Sequence, residues 1–259
     1  VLPGLYTPIA RRDNIPIFGW LSLGGRCRTC STEISSRYPI VEAITGTIFL
    51  LLYFVELISG GANLPVRPVN HYRGVLWIIM YAKWDLIGLY MYHCFLFASL
   101  LVFTLMAIDN NRVPRKLLVF CFLTGIAAPV MFPSLVLISA LPGTTTPANA
   151  VVEGLLHAVV GATCGMIAGS LLSRWRIYTQ PSSAENNSIT ASMSLIGMVV
   201  GWQAMISVAA IFLVLRWLQK QGFQLACGSK CRSMNGDLLL AALWHHVFWR
   251  LEWAVVNIF

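Results

Sequence analysis

Few side chains in this sequence could do chemistry, and most of those lie inside or at the edges of apolar runs. Cys27 and Cys30 form a C-x-x-C pair in a polar loop shared with Arg26, Arg28 and Arg37. Two thiolates at that spacing supply half of the four N or S ligands that a structural zinc takes. Cys227 and Cys231 could complete the set only by folding against that loop, and their three-residue gap is looser than a zinc knuckle uses. Zinc is therefore not expected at Cys27 and Cys30. Glu42 stands just inside the first long apolar run, where a carboxylate marks a site or a buried partner. Glu56, His93, Glu153 and His157 occur singly, near span ends or beside polar neighbours, and read as structural. His245 and His246 are adjacent and so point to different helix faces, which argues against a metal pair. No G-x-S-x-G phrase is present, so nothing indicates a serine hydrolase.

The elements that must position these groups are membrane helices. The 259 residues are 57% hydrophobic and 11% charged, with a mean hydropathy of +0.71, whereas a soluble domain carries roughly 25% charged residues. The fold class implied is an all-α, polytopic integral membrane protein. A span needs about 20 apolar residues, and five stretches qualify: 40–59, 86–108, 117–141, 151–172 and 192–215. A sixth, 238–259, carries His245, His246, Arg250 and Glu252, and its Trp244, Trp249 and Trp253 suit a helix lying partly at the interface. That gives about six membrane segments. The run 75–82 reads as a surface or re-entrant turn, 60–85 as a long outer loop, and QPSSAENNS as a polar loop. Cys94, Cys121 and Cys164 lie inside apolar runs and read as small hydrophobes.

The formal charge of +8 comes from short basic clusters at the ends of apolar runs, the pattern of membrane topology and not of a nucleic-acid surface. The head before Ile40 holds five arginines and is expected in the cytoplasm, followed by cytoplasmic loops at Arg112, Arg115 and Lys116 and at Arg174 and Arg176. Simple counting would put Arg216, Lys220, Lys230 and Arg232 on the other side. The repair is that the fifth stretch turns back near 197–202; its arms would be too short to cross roughly 30 Å at 1.5 Å per residue, so a broken, protein-buried pair is expected.

The run DNIPIFGWLSLGGRCRTCSTEISSRYPIVEAITG, residues 13–46, resembles the amino-terminal cytoplasmic segment of the bacterial type IV prepilin leader peptidases. The DNIP phrase, the glycine-and-leucine turn, G-R-C-x-x-C and Y-P-x-V-E follow one another in the family's order. Residues 1–39 thus resemble the amino-terminal head with half of its zinc knuckle, and 40–259 a transmembrane peptidase-like domain. In the family a second C-x-x-C precedes DNIP; those positions are Leu2 and Leu5 here. Family members also carry a further membrane helix before this point, expected to lie outside this sequence.

The resemblance implies a multi-pass protein of the bacterial inner membrane, in contact with lipid, that cuts leader peptides from prepilins in pilus or type II secretion assembly. Nucleic acid is not an expected partner. Two carboxylates at the cytoplasmic edge would activate water and protonate the leaving amine. No cofactor is required for that step, and S-adenosylmethionine would enter where the new amino terminus is also methylated. Asp109, in MAIDNNRVPRKLL, matches the first aspartate topologically but lies five residues before Pro114 where the family has seven, so the ungapped position is Ala107. The GWQA phrase, Gly201 to Ala204, puts Ile189 at the second aspartate, while Asp237 in MNGDLLLAAL offers a displaced G-D alternative or an interfacial helix cap. Glu42 and Arg37 would hold substrate. A homologue that binds pilin-like helices or assembly partners without cutting is the other reading. A transporter is disfavoured, because no inverted repeat is visible.

Overall fold

The computed structural model describes residues 10–70, 74–81, 83–139, 150–174, 183–221 and 233–256. The chain forms two compact units, 1–51 and 52–259. In the first, a 3-10 turn at Arg11–Asn14 leads into the short helix α1, Phe18–Ser22, and a hairpin then delivers the chain to α2, Arg37–Leu52. Pro39 falls in the first turn of α2, where a missing N–H costs nothing. A π-helical turn, Tyr53–Ile58, continues α2 and opens the second unit. There follow α3 (Val75–Met80), α4 (Trp84–Ile108), α5 (Arg115–Met131), α6 (Ala150–Arg174), α7 (Ser183–Val200), α8 (Trp202–Lys220) and α9 (Met234–Val256).

Among the described residues there is no strand, only one isolated bridge between Arg26 and Glu33. Among the described residues four segments, Arg37–Ile58, Trp84–Ile108, Ala150–Arg174 and Trp202–Lys220, are long and apolar enough to cross a bilayer. Large apolar side chains such as Val119, Phe120 and Leu123 on α5 and Ile167 and Leu171 on α6 point outward, as a lipid solvent permits. The chain is an all-α, polytopic membrane protein.

The second unit is built on backbone contact between α6 and α7. Gly161, Gly165 and Gly169 recur every fourth residue of α6, and a Cβ on Gly161 would overlap the carbonyl of Gly197 while one on Gly169 would lie 2.7 Å from Thr190 Cα. Small residues at this spacing let membrane helices approach where lipid supplies no hydrophobic drive. The order of contacts, Gly161 with Gly197 and Gly169 with Thr190, makes the pair antiparallel.

Gly201 ends α7 at φ +100°, a backbone state that glycine adopts without a Cβ penalty. The chain reverses there. At one end of the bundle Glu185, near the start of α7, accepts from Met234 N at 2.9 Å, and Arg216, near the end of α8, donates to Asp237 at 2.9 Å. The end of α4 joins them: Phe103 O accepts from Ser188 Oγ at 2.9 Å, and Thr104 Oγ1 donates to Asn235 O at 3.3 Å. Arg112 also donates to Ser183 Oγ at 3.1 Å. Arg112, Arg174, Arg216 and Lys220 therefore gather at one end.

The break near 197–202 is present, but the expected short arms are not. α7 begins at Ser183, inside the run read as a polar loop, so its 18 residues reach about 27 Å and the 19 of α8 about 28 Å. The polar start is tolerated because Ser188 is buried against α4 and bonded to it. The stretch 117–141 is shorter than expected: α5 stops at Met131, and a 3-10 turn follows at Pro133–Leu135. Part of the supposed outer loop 60–85 is core. Leu64 is fully buried, Asn63 is buried, Arg67 pairs with Asp85 at 2.5 Å, and Val75–Met80 is a helical turn. The loop 142–150 lies almost wholly outside the described residues, as do Arg176, Lys230 and Arg232.

Overpacking costs roughly 1–3 kcal/mol and more where backbone is struck. Gly161→Leu should therefore lower the unfolding midpoint in detergent well below wild type, while Gly46→Leu, with nothing within 4 Å of its Cβ, should leave it nearly unchanged; equal midpoints for the two variants would contradict the packing. Cysteines placed at Arg112 and Lys220 should be labelled by an impermeant maleimide from the same side of the membrane, and labelling from opposite sides would refute the reversal at Gly201.

Candidate functional site

The head is tied together through its own sequence phrases. The Arg28 guanidinium grips Asp13 with two bonds, 3.0 Å from Nε and 2.8 Å from the terminal nitrogen, and the Asp13 carboxylate raises the already high Arg28 pKa, first by hydrogen bonding. The Trp20 indole donates to Ile34 O at 2.8 Å, and its ring lies against Gly25, where a Cβ would come within 2.9 Å. Ile17 holds φ +62°, unusual for a β-branched residue, and its N–H donates to Glu42 Oε2 at 2.8 Å. Glu42 thus fastens the DNIP turn to α2. A cavity of about 600 Å³ opens beside these groups, lined by Asp13, Ile17, Trp20, Cys27, Tyr38 and Glu42 among others. Arg37 opens α2 and is exposed.

The C-x-x-C loop is a tight hairpin: Cys27 N donates to Thr32 O and Ser31 N to Cys27 O, each at 2.9 Å. Both thiols are free. They form half of a tetrahedral zinc set; Leu2, Leu5, Cys227 and Cys231 lie outside the described residues. The pair present does not by itself make a closed zinc site. Hydrogen bonding by the Thr32 hydroxyl, 3.1 Å away, is the largest of several contacts that lower the Cys30 pKa.

Asp109 and Asp237 lie at the same end of the second unit in different settings. Asp109 is the exposed C-cap of α4, and Asn110 follows at φ +56° as the helix stops. Asp237 is buried in the first turn of α9. Its Oδ2 accepts from Arg216 at 2.9 Å and its Oδ1 from Gln219 at 2.8 Å, so both oxygens are held by α8. The ungapped alternatives are also buried: Ile189 completely and Ala107 nearly so. Ser188, next to Ile189, bonds Phe103, one turn before Ala107. The α4–α7 contact therefore carries both positions.

Glu56 and His93, which read singly as structural, converge elsewhere with His246, which is not paired with its neighbour His245. Glu56 on the π turn, His93 on α4 and His246 on α9 are all buried, and one oxygen, Glu56 Oε1, meets His93 Nδ1 at 2.7 Å and also His246 Nε2. His245 turns to another side of α9 and pairs with Glu252 at 2.6 Å. A lone residue near a span end carries no signal of such a partner. The available cue was that three ionisable groups fall in three apolar runs. Glu153 lies in the first turn of α6, and His157 is buried on the same helix.

Fold and sites together define a helical integral-membrane protein with a small ordered head and polar contacts inside its bundle. The Bacterial Peptidase A24 N-terminal domain matches residues 5–55. A prepilin leader peptidase/N-methyltransferase of Pectobacterium carotovorum subsp. carotovorum is 29% identical over 227 residues, covering 85% of this chain and 65% of that protein. A type 4 prepilin-like proteins leader peptide-processing enzyme of Escherichia coli O78:H11 is 38% identical over 100 residues, 32% of this chain and 37% of that one. A Klebsiella pneumoniae prepilin leader peptidase/N-methyltransferase is 53% identical over 49 residues, 19% of this chain and 22% of that one. The chain spans less than two thirds of the length of these curated relatives. No solved structure matches. The chain is thus similar to bacterial prepilin leader peptidases, through the peptidase A24 N-terminal domain at residues 5–55 and more distantly over most of its length.

A lowered thiol pKa keeps a thiolate present to lower pH. Peptide-resolved alkylation with iodoacetamide should therefore rise at lower pH for Cys30 than for a free thiol, and Thr32→Val should move that rise upward. A Cys30 profile unchanged by Thr32→Val would show that the hydroxyl does not set it.

Proposed function

We propose that this protein processes prepilin leader peptides at the inner membrane of a bacterium, with its head and the Arg112 loop in the cytoplasm, in the assembly of pili or a type II secretion system. The observation that supports this reading is the head: the phrases that match the family domain are the same ones that lock Asp13 to Arg28 and Ile17 to Glu42 beside a cavity of about 600 Å³. A leader segment, basic and extended, would lie against Glu42 and Asp13, with Arg37 at the helix start meeting its acidic or phospholipid surroundings. Asp109 and Asp237 are the candidate acid–base pair. The ionised carboxylate takes a proton from the attacking water, and the protonated one gives a proton to the leaving amine. Methylation of the freed amine, the second activity in the relatives' names, would use S-adenosylmethionine as co-substrate.

A second reading, a homologue that holds pilin-like helices without cutting, has its own observation. Asp237 is engaged at both oxygens by Arg216 and Gln219, and buried Ala107 and Ile189 cannot move a proton.

Cleavage of a prepilin in membranes separates the two. Processing predicts turnover by wild type that falls by roughly 10²- to 10⁴-fold in Asp109→Asn and in Asp237→Asn. Wild-type protein that retains the prepilin through Glu42 yet releases no leader would establish the second reading instead.

A further inference from the structure

We propose that Glu56, His93 and His246 form a binding site for a divalent transition-metal ion of the zinc type, buried in the helix bundle and distinct from the cysteine loop of the head. The three candidate ligand atoms lie within 4.8 Å of one another. Tetrahedral ligands about 2.1 Å from zinc stand about 3.4 Å apart, so the cluster needs only side-chain adjustment to close on an ion. One carboxylate and two imidazoles are a donor set that suits zinc, iron(II) or cobalt(II), not calcium or magnesium.

Two further atoms point to a cation. Glu56 Oε2 is buried and has no hydrogen-bond partner, because both imidazoles meet the other oxygen. Asn63 Oδ1 is likewise buried and unpartnered, and its amide lies beside the cluster, with Nδ2 3.0 Å from His246 O and 3.5 Å from His246 Nε2. Two buried acceptors without donors, next to three converging ligand atoms, are a place that a positive ion satisfies and another acceptor does not.

The surroundings hold the ligands in position. Glu56 projects from a π turn, a local widening that recurs at functional sites. Arg250 donates through its guanidinium to the carbonyls of Leu64, Gly61 and Arg67, and through its N–H to Asn63 O at 2.9 Å. This fixes the turn that carries Asn63 against α9. Trp249 is buried beside both imidazoles, with ring centres 6.3 Å from His93 and 6.2 Å from His246. Along α4 the site lies ten residues before Phe103, about 15 Å from the end that holds Asp237. Loss of the metal and loss of peptidase activity can therefore be observed separately.

The test uses the full chain, purified in detergent, with Cys27, Cys30, Cys227 and Cys231 replaced by serine so that thiolates cannot contribute. After dialysis against Zn²⁺ or Co²⁺, bound metal is measured by mass spectrometry and the Co²⁺ form by its visible ligand-field bands. One equivalent is expected, with nitrogen and oxygen ligation and a raised unfolding midpoint. Glu56→Gln and His246→Gln should each lower affinity at least tenfold and abolish the midpoint shift, while His245→Gln should leave both unchanged. Wild-type side chains at this site that retain no metal above the buffer blank overturn the proposal, whatever the variants do. So does metal retained undiminished by folded Glu56→Gln and His246→Gln.

Discussion

The second unit depends on how closely α6 and α7 approach. In lipid the apolar side chains of two helices gain little by meeting, so association rests on packing and on hydrogen bonds. Gly161, Gly165 and Gly169 remove the side chains that would keep the backbones apart, and Gly197 does the same from the other helix. Ser194 then donates to Ala162 O at 2.9 Å across the contact. α7 is buried along nearly its whole length as a result, although its first turns are polar. It is a protein-solvated helix at the centre of the unit, and the other elements are arranged around it.

The placement of polar groups follows from that. A membrane interior leaves no water for an unpaired polar atom, and the unit answers at two levels. At one end, Glu185, Ser188, Arg216, Gln219 and Asp237 tie α4, α7, α8 and α9 into a network. Nearer the middle, Glu56 collects His93 and His246 while Arg250 takes up the carbonyls of the 61–67 turn. In the first network each oxygen of Asp237 has a donor, while the neighbouring Asn235 side chain has no partner. The second leaves Glu56 Oε2 and Asn63 Oδ1 without one.

Much of this was legible in the residues. Apolar runs gave the helices, the basic clusters gave a common end for Arg112 and Arg174, which Arg216 and Lys220 join only through the turn near 197–202, and the order of phrases from Asp13 to Gly46 gave the head. The boundaries of α7 were not legible, because a helix starting in SAENNS carries no hydropathy signal; its polar residues are paid for by tertiary partners such as Phe103 O. Asn63 and Leu64 looked like solvated loop for the same reason: a turn joins the core when an arginine far along the chain, Arg250, satisfies its carbonyls. The glycine spacing on α6 was present in the sequence, but which helix it meets is a fact of three dimensions. Convergence of Glu56, His93 and His246 is another, since residues 37 and 153 positions apart share no local pattern.

The two positions marked by the ungapped alignments have a consistent physical context. Ile189 follows Ser188 directly and Ala107 stands one turn after Phe103, so both buried positions flank the Ser188–Phe103 bond between α7 and α4. Placing a carboxylate in such a contact would demand a donor or a counter-ion. Asp237 has acquired both, from Gln219 and Arg216, one helix away. A buried pair of that kind is costly to break, because removing one member strands the other. The same contacts oppose release of Asp237 to bind water. Arg216 and Gln219 therefore fix the Asp237 carboxylate against α8.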